Sequence, residues 1–113
     1  MAYDQHLADR IREKLAELPN LAEKEMFQGL TFLINEKLCI CVSGDKLLCR
    51  FDPILHEEMA EKNGFEEMVV NGRVYRGYGY IQPEVLRSQR DLDFWIQLAL
   101  AFNPRAKAAK KKK

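Results

Sequence analysis

Between residues 30 and 51 the apolar residues recur at every second position, and this constrains the fold more than any other feature. Leu30, Phe32 and Ile34 alternate with Thr31, Leu33 and Asn35. Leu38, Ile40 and Val42 alternate with Cys39 and Cys41, and Leu47, Cys49 and Phe51 with Leu48 and Arg50. Period two is the spacing of a strand, and Asn35-Glu36 and Ser43-Gly44-Asp45 supply turns between the runs. With Glu25-Met26-Phe27 before Gly29, the segment reads as an antiparallel meander of three or four strands. The middle strands are apolar at both parities, so the sheet is expected to be covered on more than one side.

The flanks have a different period. Over residues 4–18, Leu7, Ile11, Leu15 and Leu18 form one helical stripe, Asp4 can cap it, and Pro19-Asn20 stops it. Asp52-Pro53 opens a short helix with Ile54, Leu55 and Met59 as its apolar stripe, and Asn63-Gly64 suits its end. Asn71-Gly72 between the β-rich residues 65–70 and 73–81 is a strong hairpin signal. Pro83 ends that strand and begins a helical turn through Leu86. A last helix starts near Ser88 or Asp91, carries Leu92, Trp95, Ile96, Leu98, Ala99 and Phe102 inward, and ends at Asn103-Pro104. The predicted class is therefore α+β. It has an antiparallel sheet of five to six strands, a meander plus a hairpin, with N-terminal, middle and C-terminal helices.

Charge divides the chain of 113 residues in two. Lys and Arg number 18 and Asp and Glu 17, a net charge of +1. Six of those bases lie in residues 104–113, which hold no acid, so residues 1–103 carry 12 bases against 17 acids, a formal −5. We expect one domain over 1–103 and a disordered basic Ala/Lys tail over 104–113. No apolar run approaches the ~18 residues of a membrane span. The N-terminus lacks a secretory pattern, and three cysteines do not make a disulfide framework. A cytoplasmic setting without membrane contact is expected.

Several residues invite chemistry. Cys39 and Cys41 on one strand should share a face, with Cys49 on a neighbouring strand; three thiolates with His6 or His56 would make a zinc site. The spacing is not that of a zinc knuckle, and free cysteine packs as a small hydrophobe, so we read all three as buried and assign no metal or cofactor. His6 and His56 lie in charged helical surroundings and read as surface residues. Arg76-Gly77-Tyr78-Gly79-Tyr80 has glycines but not the strand–turn–helix context of a phosphate loop. There, alternation puts Tyr78 and Tyr80 on one face and Tyr75 and Ile81 on the other. Arg73, Arg76, Tyr75, Tyr78 and Tyr80 mix basic and aromatic side chains on a strand, which can be a protein contact or a platform for unpaired bases. The glutamates from Glu57 to Glu67 read as a solvated acidic face. Lys110, Lys111, Lys112 and Lys113 can bind nucleic acid or another polyanion with strong salt dependence.

Three blocks, in order, resemble the TfoX N-terminal domain family. The first is Glu25-Met26-Phe27-Gln28-Gly29-Leu30-Thr31-Phe32 followed by Glu36-Lys37. The second is Arg76-Gly77-Tyr78-Gly79-Tyr80-Ile81-Gln82-Pro83-Glu84. The third is Leu92, Trp95 and Ala99 in the closing helix. Ser43-Gly44-Asp45 and Leu48-Cys49-Arg50 fit the same template, and the likeness spans about residues 3–103. Gln28 and Glu36 depart from it, each standing where the pattern usually has glycine. The resemblance implies a compact bacterial α+β domain with no established catalytic residues. In longer members it is joined to a helical domain and regulates natural competence through transcription of DNA-uptake genes. It points to a non-enzymatic regulatory or protein-interaction domain, with a protein partner or a homodimer and no small-molecule substrate. Met26 and Phe27 are expected in the core or at a subunit contact, and Gly29 and Gly77 at positions set by backbone geometry. The alternatives are a nucleic-acid binder using the lysine tail and the strand from Arg73 to Tyr80, or a thiol or metal protein built on the cysteines.

Overall fold

The computed structural model describes residues 3–26 and 29–105. Helix α1 (Gln5–Leu15) starts where Asp4 Oδ1 accepts from the amides of His6 and Leu7, at 2.9 and 3.2 Å. It buries Leu7, Ala8, Ile11 and Leu15. It stops one turn before the expected Leu18, because Pro19 disfavours helical geometry at its predecessor; the Leu18 amide closes a last turn onto the Leu15 carbonyl.

The alternating runs form β2 (Gly29–Ile34), β3 (Lys37–Ser43) and β4 (Lys46–Arg50), preceded by β1 (Leu21–Met26). After a short helical stretch come β5 (Phe65–Val70) and β6 (Arg73–Ile81). All six strands join one antiparallel sheet in the order β1-β2-β3-β4-β6-β5. The six-stranded α+β reading holds. Two of the hairpin turns share one geometry. Asn35 and Glu36 take φ 55° and 67°, and Asn71 and Gly72 take 55° and 76°, the paired left-handed geometry whose twist matches antiparallel strands. A Cβ on Gly29 would lie 2.0 Å from the Val42 carbonyl oxygen, so backbone approach requires glycine there.

Pro83–Leu86 forms the short helix α3, and helix α4 (Gln89–Phe102) is capped by Ser88, whose Oγ accepts from the Asp91 amide at 3.3 Å. It carries Leu92, Trp95, Ile96 and Ala99 into one apolar cluster with Leu7, Ile11 and Leu15 of α1 and Phe32, Ile40, Val42, Leu47 and Ile81 of the sheet. Trp95 meets Phe51 and Phe65, with ring centroids 6.5 and 6.0 Å away. Beyond α4, Lys37 Nζ donates to the carbonyls of Asn103 and Pro104, satisfying acceptors at the helix end. Thr31, Cys41 and Leu48 lie side by side across β2, β3 and β4 and are buried too, so the middle strands are covered on both faces, as their composition implied.

Candidate functional site

β4 leads through Phe51 and Asp52 into a 3-10 turn (Pro53–Leu55) and helix α2 (His56–Ala60). Asp52 Oδ1 accepts from the Ile54 amide at 3.1 Å and Oδ2 from Arg105 at 2.8 Å. These two bonds, the amide first, hold its carboxyl below the usual range. The next residue corrects an expectation. His56 is buried, not on the surface. Its ring stacks on Phe51 (6.2 Å, 9°) and meets Phe65 edge-on at 5.9 Å. Nδ1 accepts from the Gly77 amide at 3.1 Å, which leaves Nε2 to donate to Glu67 Oε2 at 2.9 Å. Both nitrogens are thereby engaged inside the protein. The flanking Glu57 and Glu58 gave the surface signal, whereas cross-strand partners decide the burial.

Gly77 is the hinge of this corner. Its φ is 88°, and its carbonyl accepts from the Phe51 amide at 2.8 Å. A Cβ there would stand 2.8 Å from the Phe51 oxygen. Around it the β5–β6 ladder loses step. Glu67 faces Gly79 and Val69 faces Val74, so Met68 alone lies opposite the four residues from Tyr75 to Tyr78. This bulge breaks simple alternation. Tyr75 and Tyr78, expected on opposite faces, touch edge to face at 6.3 Å.

The bulge also spends most of the predicted basic–aromatic surface. Arg76 clasps Glu57 through both guanidinium nitrogens and reaches the Pro53 carbonyl. The Glu57 carboxyl is held down at about 2, chiefly by the Arg76 hydrogen bonds. Arg50 lies over the Tyr78 ring at 5.6 Å and Lys46 over Tyr80 at 5.8 Å. Tyr78 and Tyr80 are thus half-buried with a cation over each ring, and Arg73 remains exposed at the tip. Met26 ends β1 opposite Gly29. Phe27 and Lys110 to Lys113 lie outside the described residues.

The cysteines divide differently from the expected shared face. β3 shifts register between Phe32–Ile40 and Leu33–Leu38, which leaves Cys39 unmatched. Cys39 and Cys49 belong to the apolar cluster, whereas the Cys41 sulfur accepts from the Thr31 hydroxyl at 3.4 Å. Cys49 donates to the Trp95 carbonyl at 3.3 Å. Burial pushes the Cys39 thiol up to about 12 and raises those of Cys41 and Cys49. Such thiols are poor nucleophiles, because the thiolate is the reactive form. Among the described residues no three His, Cys, Asp or Glu side chains are grouped to hold a metal ion. No described helix is long and apolar enough to cross a membrane.

What stands open is apolar. Ile54, expected on the inner stripe of its helix, is 82% exposed. In the outer half of the β5–β6 hairpin Val69 is 55% and Val74 45% exposed, with Val70 and Tyr75 also accessible. Periodicity could not single these out, since their exposure follows from β4 ending before it reaches them: β4 pairs with residues 78–81 of β6 alone.

A search of curated proteins and of solved structures found no match. A family model does match, the TfoX N-terminal domain, over residues 13–103. That span runs from within α1 to the end of α4 and includes the sheet and the His56–Gly77 corner, and the chain belongs to the TfoX N-terminal domain family.

Proposed function

We propose that this chain is a non-enzymatic regulatory domain that works by protein contact in the cytoplasm, within transcriptional control of the kind exerted by competence regulators. The observation that carries the reading is the apolar outer hairpin, where Val69, Val70, Val74 and Tyr75 face solvent on an arm whose base is joined by the Gly77–His56 hydrogen bond. Apolar side chains grouped on one projection mark a contact surface. The side chains with chemical potential support the same reading. Both His56 nitrogens serve the arm's base, and the buried thiols are held protonated.

Transcript profiling of the native host lacking this chain tests the proposal. Complementation with the wild type should restore a coordinated set of altered transcripts, and complementation with Val74→Glu should not. An unchanged profile in the deletion strain would overturn the regulatory reading.

A further inference from the structure

We propose that the outer β5–β6 arm is a self-association surface, and that its occupant is the same arm of a second copy of this chain, paired antiparallel along β5. The inference rests on the protein-contact reading above and names the partner. A two-stranded ribbon with both faces in water is marginal by itself. Here residues 69–75 form such a ribbon beyond the last β4 pairing, and it carries four of the six large exposed apolar residues among those described.

The two edges of the sheet differ in a way that favours this pairing. At the β1 edge, Glu23, Lys24 and Glu25 are exposed, the usual guard against strand addition. The outer half of β5 offers Met68, Val69 and Val70 and no charge. Charge is self-complementary along the arm. At its base Glu66, which also bonds Lys46 and Gln82, and Glu67, which also bonds His56, keep solvent-exposed carboxylates, and exposed Arg73 stands at its tip. An antiparallel copy brings its own tip, with Arg73, alongside those carboxylates, and the two-fold axis makes the contact twice. A parallel copy would set base against base and repel.

Sedimentation equilibrium and light scattering on the full chain test this. We expect a species of twice the 13.2 kDa chain mass. Val69 and Val74 face one another within the hairpin, so the double change V69T/V74T keeps strand shape while removing apolar surface; it should reduce the mass to that of one chain. Circular dichroism checks that the variant is folded. Should it not fold, Arg73→Glu at the exposed tip carries the test and should weaken association by about tenfold, since two attractive contacts become repulsive. A monomeric wild type, or a dimer whose affinity neither variant changes, overturns the proposal. A monomeric wild type that still restores the transcript pattern removes the pairing and leaves the regulatory reading standing. A dimer in a host whose transcripts never respond to the chain does the reverse.

Discussion

His56 holds one proton between two partners, and its geometry fixes where that proton lies. The Gly77 amide points at Nδ1, so the hydrogen sits on Nε2 toward Glu67. Nitrogen-detected NMR should therefore show the Nε2–H tautomer for His56, with Nδ1 bare and coupled to the Gly77 amide. Replacing the ring has a second cost. His56→Ala strands the buried Gly77 donor and should destabilise the fold by about 1–3 kcal/mol for that group alone, before the lost stacking on Phe51 is counted. Urea unfolding of the variant measures it; a loss below about 0.5 kcal/mol would mean the bond contributes little. Cys39 behaves oppositely to an acid held down. Burial raises its thiol from 9.0 to about 12, so the folded state keeps the proton more tightly than the unfolded chain. Its contribution is whole below pH 9 and disappears as pH climbs toward 12. The stability gap between wild type and Cys39→Ala should narrow over that window, and a gap that widened would refute the assignment. These two residues differ in legibility. Cysteine on an apolar strand reads as buried because its chemistry agrees with its neighbours. Histidine beside Glu57-Glu58 reads as exposed, because the partners that bury it lie 11 and 21 residues away.

Turns and bulges divide what local sequence can specify from what it cannot. Asn71-Gly72 imposes its left-handed geometry itself, whereas at Asn35-Glu36 only the asparagine favours it and Glu36 is held at φ 67° by the strands it joins. The Tyr75 to Tyr78 bulge has no such signature. It exists because β6 must meet β4 and β5 at once, and the extra length is taken up where Gly77 admits the Phe51 carbonyl. The same absence of local signal hides the break at Cys39, where alternation predicts a face that register then denies. A pair of glycine substitutions separates backbone conformation from close approach. Gly72 and Gly77 have φ of 76° and 88°, but a Cβ on Gly72 meets open space. Gly72→Ala should cost only the left-handed penalty, about 1 kcal/mol. Gly77→Ala adds the clash with Phe51 and Pro53 and should cost about 2–4 kcal/mol in all. Equal losses in thermal or urea unfolding would show that conformation alone selects glycine at Gly77.

At the scale of the molecule, helices and strands were legible because each run has one period, whereas the insertion of β6 between β4 and β5 is a non-local choice with no local mark. Surface pairs then join elements that the sequence keeps far apart. Asp52 bonds Arg105, Glu57 bonds Arg76, Glu66 bonds Lys46, and Asp93 bonds Lys14. The four carboxyls are all held below their usual range, with hydrogen bonds the leading cause in each. A carboxyl lowered on folding gives up its proton more readily in the native state. Its contribution is therefore present above the ordinary value and lost as pH falls. For Glu57 that window runs from 4.5 down to about 2. Acid should loosen the joints of α1, α2, β5 and the end of α4, while the apolar cluster, which has no carboxylate, keeps its contacts until the joints have gone. Glu57→Gln keeps the shape and removes the charge. Its stability should fall short of wild type at neutral pH, and the two should converge as pH drops through that window. Since Glu57 and Arg76 are both solvent-exposed, added salt should shrink the neutral-pH difference as well. If the difference survives at the acid end, or resists salt, Glu57 acts through packing and the joint between α2 and β6 is not electrostatic.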